Sequence, residues 1–479
     1  ISLRPIDRGW ERPTCAVVGC LHFEGLASQS RAMHTLSELR SGALRGITRL
    51  NLSAGLTELP PEVFELADTL EVLNLTGNAL STLPADLPRL HKLKVLFCSG
   101  NQFTQVPEVV GQCPSLSMVG FKSNQIEHVP AASLPPHLRW LILSDNQIEA
   151  LPDELGRRPL LEKVALAGNR LRALPDTMAA CERLALLRIS ANAFEQFPDW
   201  LFMLPSLSWL ALAGNPANEG LEAQRSLTGQ DTPQVPWADL TLHEVLGQGA
   251  SGVIHRVTWQ PAGGQGVSAA LKVFKGALTS DGWPHSEMSA CLSAGQHPNL
   301  IGVIGQLQGH PQGLDGLLMP LVDASLKTLA EPPSLITCSR DVYPAVRAWG
   351  LDTALRMAEE SASALAHLHS RGLMHGDFYG HNLLWRQGSG LMLGDFGAAT
   401  PFDPADEAMA DRLSRIEVRA WGCFLQELLQ HLQAQPGDEA AITALAHLRD
   451  QCMGSVALRP TWHAIEAALQ AAKEKARQG

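Results

Sequence analysis

Apolar positions between residues 44 and 220 recur in short clusters, and an asparagine follows each cluster. Asn78, Asn101, Asn124, Asn146, Asn169, Asn192 and Asn215 succeed one another at intervals of 22 or 23 residues. "LEVLNLTGN" (70–78), "LRWLILSDN" (138–146) and "LEKVALAGN" (161–169) show the unit. Proline closes most copies, at Pro84, Pro107, Pro130, Pro152, Pro175 and Pro198; an irregular opening copy, "ITRLNLSAGLTELP", ends at Pro60. A fixed period of this length predicts stacked units, because one unit is too small to bury its own apolar face. Each unit predicts one short strand whose leucines point into a shared core. The asparagine is polar beside that core. Its amide must therefore satisfy backbone groups of the turn, building a ladder from copy to copy.

The pattern L-x-x-L-x-L-x-x-N-x-L resembles the leucine-rich repeat family over about residues 44–220. The resemblance implies an α/β solenoid whose concave strand face is a binding surface. The third position of successive units gives Val72, Val95, Met118, Trp140, Lys163, Leu186 and Trp209. The fifth gives Asn74, Phe97, Gly120, Ile142, Ala165, Arg188 and Ala211. A mostly apolar stripe facing water predicts a protein partner, with the second half of this chain as one candidate. The competing reading is that these side chains only pack along the ladder.

Upstream, residues 1–43 stand apart. Residues 1–32 lack periodicity, and regular text begins at Met33, which is either the natural start or preceded by an N-terminal arm. After "LALAGNP" (210–216) the repeat stops. The following text, polar and rich in Gly, Gln and Pro, predicts a cap and then a linker over 221–236.

A second domain is expected over 237–479. "LHEVLGQGASGVIHRVTW" (242–259) reads as strand, glycine loop, strand. A dinucleotide-binding turn would open a helix, whereas "VIHRVTW" is β-branched and alternating. Glycines there let backbone amides approach phosphate oxygens. "SAALKVFK" (268–275) is a further strand carrying Lys272, and "WPHSEMSACLSA" (283–294) a helix with Pro284 near its start and one acid, Glu287. "ALAHLHSRGLMHGDFYGHNLLW" (364–385) reads as an amphipathic helix, a Gly-ended turn and a loop. "NLLWRQGSGLMLGDFGAA" (382–399) reads as a hairpin turning at "QGSG" and running into Asp395-Phe396-Gly397. Asp377, Asp395 and the amide of Asn382 make a hard-oxygen set that suits Mg²⁺.

This order of motifs resembles the protein kinase family over residues 240–470, an α+β bilobal fold using ATP and Mg²⁺. The resemblance implies that Leu246, Gly247, Gly249, Gly252, Ile254 and Ala270 surround the nucleotide. Lys272 would reach the phosphates, oriented by Glu287. Asp377 would accept the proton of the attacking hydroxyl, and Asn382 and Asp395 would hold the metal. "IEVRAWGCFLQELL" (416–429) is similar to the long central helix of the large lobe, with Glu417 where the family has Asp; "LRPTW" (458–462) is similar to the family's R-P-T.

Three departures stand out. Gly376 replaces an Arg that grips a phosphorylated loop, and Tyr379 replaces a Lys that steadies the γ-phosphate. Glu417 follows Asp395 by only 22 positions, with no A-P-E triplet between them to shelve a peptide. Together they predict an enzyme not switched by loop phosphorylation. Three functions fit: a Ser/Thr protein kinase recruited by its repeats, a nucleotide-binding pseudokinase scaffold, and a phosphotransferase acting on a small molecule.

A net charge of −11 argues against nucleic acid. Nine cysteines without C-x-x-C pairs suggest a reducing compartment, and no apolar run of 18 residues suggests a membrane span, so the cytoplasm is the expected location.

Overall fold

The computed structural model describes residues 33–228, 232–276, 278–279 and 281–478. The question of the natural start concerns residues 1–32, which lie outside the described residues. A short helix, Leu36–Arg40 (α1), opens the solenoid behind a reciprocal Thr35–Glu38 capping box.

Eight three-residue strands follow: Arg49–Asn51, Val72–Asn74, Val95–Phe97, Met118–Gly120, Trp140–Ile142, Lys163–Ala165, Leu186–Arg188 and Trp209–Ala211 (β1 to β8). They form one parallel sheet in chain order. Equivalent repeat positions pair, as Met118 with Trp140 and Leu186 with Trp209. Opposite the sheet run 3₁₀ turns. Pro60, Pro107, Pro130, Pro152, Pro175 and Pro198 each sit just before one, with φ between −58° and −73°. The ring presets that angle, and the missing N–H is not needed at the turn's start.

The asparagine ladder takes the expected form. Asn146 Oδ1 accepts from Ile126 N at 3.0 Å, while its Nδ2 donates to the Phe121, Leu143 and Ser144 carbonyls. Each amide thus ties its own turn to the preceding copy, beside buried leucines such as Leu141, Val164 and Leu187.

Helix Pro216–Thr228 (α2) caps the last repeat. The linker reading of 221–236 needs correction at both ends. Helix α2 fills its beginning, and Gln234–Pro236 (β9) already belongs to the second sheet. That sheet adds Leu240–Gln248 (β10), Gly252–Trp259 (β11), Val267–Phe274 (β12), Gly305–Gln308 (β13) and Gly316–Pro320 (β14), in the order β10-β11-β12-β14-β13-β9. Helix Pro284–Ala294 (α3) connects β12 to β13. The large lobe is helical: Leu351–Ser370 (α4), Glu407–Gln430 (α5), Glu439–Met453 (α6) and Trp462–Gln478 (α7). Small strand pairs complete it: Lys327–Thr328 (β15), Leu373–Met374 (β16), Leu383–Trp385 (β17), Met392–Leu393 (β18) and Thr400–Pro401 (β19). Helix α5 starts well before the 416–429 stretch read from sequence, so the segment after Asp395 is shorter still.

The two halves share their cores. Met374, Phe402, Leu413 and Ile416 join the cluster formed by Leu210 and Leu212 of the last repeat. Leu186 and Trp209 join the large-lobe cluster with Phe378, Tyr379 and Phe424. Toward the first repeats, Cys338 sits among Val95, Met118, Trp140, Ile142 and Ala165. Its segment, 331–349, is an irregular stretch of the large lobe, and residues 335–339 of it lie against the concave face. Arg139 Nη1 donates to Ile336 O at 3.0 Å, and Ser339 Oγ to Glu162 Oε1 at 2.5 Å. At the other rim Arg412 meets Asp199 at 2.8 Å, and Arg459 Nη2 donates to Pro205 O at 2.7 Å. The stripe expected to face water is therefore covered: Trp140 and Trp209 are 0% and 2% exposed. Val72, at its start, is half-buried.

Candidate active site

The glycine loop closes the turn between β10 and β11, where Gly249 N donates to Gly252 O at 2.9 Å. Leu246 and Gly247 are half-buried on β10, while Ile254 and Ala270 are buried on the strands behind them. Gly252 has a packing reason. A Cβ there would come within 2.6 Å of Val273 O and within 3.4 Å of the Lys272 side chain. The strand carrying Lys272 can approach the loop only because that atom is missing.

Lys272 lies across from Ile254 on β11 and Leu317 on β14. Helix α3 starts with Pro284 at its first turn and buries Glu287, whose Oε1 pairs with Lys272 Nζ. Burial pushes the Glu287 carboxyl up; Lys272 opposes that and nearby Asp395 adds to it, leaving the net direction upward. The pair is 6% and 3% exposed at its side chains.

Asp377, Asn382 and Asp395 converge from the loop after β16 and from the end of the β17–β18 hairpin. Asn382 Nδ2 donates to both Asp377 O and Asp377 Oδ2, at 2.8 and 2.9 Å. Both amide hydrogens are thereby used, which leaves Asn382 Oδ1 as an acceptor toward a cation. Asp395 has φ +58°, a conformation that β-carbon residues rarely adopt, and its Oδ1 accepts from Gly397 N at 3.2 Å. Among the described residues no group of three or more His, Cys, Asp or Glu side chains gathers for a metal. An amide oxygen and one carboxylate still fit Mg²⁺, which takes few protein ligands and completes its shell with water and phosphate.

His375 is buried behind this loop. It accepts Asp377 N on Nδ1 at 3.3 Å, so Nε2 carries the proton and donates to Gly394 O at 3.0 Å. One imidazole thus ties the Asp377 loop to the segment leading into Asp395. Glu417 on α5 accepts from Gly376 N at 2.8 Å, His375 N at 3.1 Å and His369 Nε2 at 2.7 Å. Burial raises its pKa, but the His369 bond and charge, His375 and the Gly376 N–H outweigh that, and the net direction is down.

The repeats enter the site directly, which sequence reasoning missed. Arg188, at the end of β7, donates from Nε to Asp281 Oδ1 at 2.8 Å, from Nη1 to Gly376 O at 3.1 Å, and from Nη2 to Asp377 Oδ1. Burial disfavours its charge, yet Asp377 and then Asp281 outweigh burial and raise its pKa. Trp209 on β8 stacks on Tyr379, ring centroids 4.2 Å apart, and donates from Nε1 to Phe378 O at 2.9 Å. Leu212 N donates to Thr400 Oγ1 at 3.0 Å. From the other side Asp341 accepts from His381 N at 2.9 Å and binds its Nδ1 at 2.5 Å. Arg188 stood in the repeat pattern as a lone guanidinium within an apolar stripe. That oddity was the available signal; Asp281 carried none.

The two odd letters of the loop now have a physical setting. Gly376 has φ +73°, and a Cβ there would collide with Leu210 O of β8 and come within 2.6 Å of Ala398 O. No arginine fits where the repeat backbone passes. Tyr379 is turned into the repeats and is 3% exposed. Burial first, and Asp377 next, push its hydroxyl well above the usual tyrosine range.

Residues 240–429 match the family model of protein tyrosine and serine/threonine kinases. A probable serine/threonine-protein kinase of Arabidopsis thaliana is 30% identical over 160 residues, covering 29% of this chain and 26% of that protein. The human non-receptor tyrosine-protein kinase TNK1 is 28% identical, covering 36% of this chain and 24% of TNK1. The serine/threonine-protein kinase mos of Xenopus laevis is 26% identical, covering 42% of this chain and 54% of mos. The matches thus span from about a quarter to about half of these relatives' lengths.

Proposed function

Residues 240–429 being a protein kinase domain, we propose that this chain is an ATP- and Mg²⁺-dependent protein kinase that phosphorylates Ser or Thr hydroxyls in the cytoplasm. One observation carries the reading. The Lys272–Glu287 pair is closed while Asn382 is bonded to Asp377, and Asp395 is near enough to act on the Glu287 carboxyl. Two of the relatives above are serine/threonine kinases by name, which supports that acceptor class. Among the described residues the cysteines are free, and no helix is long and apolar enough to cross a membrane.

Each residue has a distinct task. Bound ATP supplies the phosphoryl group, and Mg²⁺ neutralises its charge. Lys272, oriented by Glu287, holds the phosphates as a point charge. Asn382 and the Asp395 carboxylate would hold the metal. Leu246, Ile254 and Ala270 would wall the base site, and the glycine loop of Gly247, Gly249 and Gly252 would lie over the phosphates. Asp377 accepts the acceptor's proton as the new O–P bond forms and the bond to the ADP oxygen breaks. For a protein partner we propose the repeat surface left open beside Val72, since Val95 to Trp209 is covered by the kinase half.

The test is transfer of label from ATP with Mg²⁺ to a generic protein acceptor, with D377A as control and phosphoamino-acid analysis of the product. Asp377-dependent phosphoserine or phosphothreonine is expected. Nucleotide binding without transfer would establish a scaffold, and transfer only to a metabolite would establish a small-molecule phosphotransferase.

A further inference from the structure

Arg188 is among the buried charges that the tasks assigned above leave unused. Arg188 is 1% exposed and reaches the catalytic loop from the repeat sheet. Its three bonds, to Asp281, Gly376 O and Asp377, use three of the five guanidinium N–H groups. The other two are left for a further acceptor. Between Asp377 and Asn382 the loop holds only Phe378, Tyr379, Gly380 and His381. Tyr379 is stacked on Trp209, and His381 is engaged by Asp341. No Lys or Arg stands within that stretch. Yet negative charge develops on the oxygens of a phosphoryl group in flight, and a fixed guanidinium beside them is worth about 10³–10⁵ in rate.

We propose that Arg188 is a catalytic residue: the repeat sheet supplies, in cis, the guanidinium that faces the transferred phosphoryl group beside Asp377. The assignment rests on the kinase reading above. Arg188 keeps its proton and its charge throughout. The acceptor's proton goes to Asp377, the acceptor O–P bond forms, and the electron pair of the breaking P–O bond leaves on ADP.

Two observations favour a working part over a plug. With Arg188 in place, the Lys272–Glu287 pair is closed and Asn382 is bonded to Asp377, so docking coexists with an assembled site. The guanidinium is also held from both lobes. Asp281, in the loop before α3, takes Nε and sets the plane of the fork, which makes it a positioning residue. Gly376 opens the space that lets β8 pass and offers its carbonyl to Nη1.

The full-length chain is compared as wild type, R188A, R188K and D377A. Two quantities are read: Asp377-dependent phosphoryl transfer, and the ratio of ATP to ADP affinity in Mg²⁺ by titration calorimetry. R188A should lower kcat about a thousandfold and lower the ATP-to-ADP ratio, with R188K recovering part of both. A purely structural role would lower the melting temperature and leave the ratio unchanged, and that result overturns the proposal. R188A as active as wild type, or more active, also overturns it; this includes a silent wild type beside an active R188A, which would make Arg188 a block on Asp377. If R188A does not fold, R188K carries the test, since it keeps a cation between Asp281 and Asp377. Wild-type kcat and ratio in R188K then overturn the assignment. Silence from wild type and every variant defeats the kinase reading itself, and this inference with it.

Discussion

The indole of Trp209 lies flat on the phenol of Tyr379, with planes 7° apart and centroids separated by 4.2 Å. One ring belongs to the last repeat strand and the other to the catalytic loop. Both rings belong to the large-lobe core, so the last repeat strand contributes a side chain to the packing of the kinase domain.

Trp209→Ala removes that stack, the bond to Phe378 O and a large buried volume. The loss should be about 3–5 kcal/mol. Because the ring sits between the halves, calorimetry should show one unfolding transition in the wild type and two in the variant. A single transition with an unchanged midpoint would mean the stack does not couple them.

Gly376→Arg restores the side chain that kinases resembling this one carry. Here it should be destructive, because φ is +73° and Leu210 O occupies the Cβ direction. The solenoid should detach from the loop, enlarging the radius of gyration in small-angle scattering. A variant with wild-type dimensions would show that β8 can yield.

How much of this was legible depends on period. The asparagine spacing placed seven of the eight repeat strands, because each unit must solve the same local problem. The order of kinase motifs marked Lys272, Glu287, Asp377, Asn382 and Asp395, of which the fold pairs Lys272 with Glu287 and Asn382 with Asp377. What carried no signal is what pairs across the halves. Segment 331–349 has no periodicity, so nothing announced that Cys338 would fill the concave face. Arg188 bonds Asp377 across a separation of 189 residues, and no spacing rule reaches that far. Arg188 and Tyr379 each broke a local pattern, and their partners, Asp377 and Trp209, meet them only once the strands are docked.

Glu417 gives a pH dependence of known sign. Its folded pKa lies below the ordinary value of 4.5, so its stabilisation is present above that value and lost as pH falls through the folded pKa. Glu417→Gln should be less stable than wild type near neutrality. Melting curves of the two should draw together as pH drops below about 4.5. A constant gap across that range would assign the effect to shape rather than charge.

Cys338 reports on docking. Burial first, with Glu162 adding to it, pushes its thiol up to about 12. Iodoacetamide at neutral pH should therefore leave it unmodified in the wild type. In Gly376→Arg and Trp209→Ala, peptide mapping should find it alkylated at a rate that tracks detachment. Equal protection in all three proteins would show that residues 335–339 stay against the concave face by themselves.

The docked sheet also limits how this architecture can diversify. Neighbouring strands stand about 4.8 Å apart, so one extra copy inserted between Arg188 and Trp209 would shift one of them by a whole strand and strand its partner. A copy inserted ahead of Val72 would leave both in place. The solenoid is open to growth or shortening at one end only, and its repeats from Val95 to Trp209 are locked in number by the half of the chain that they touch.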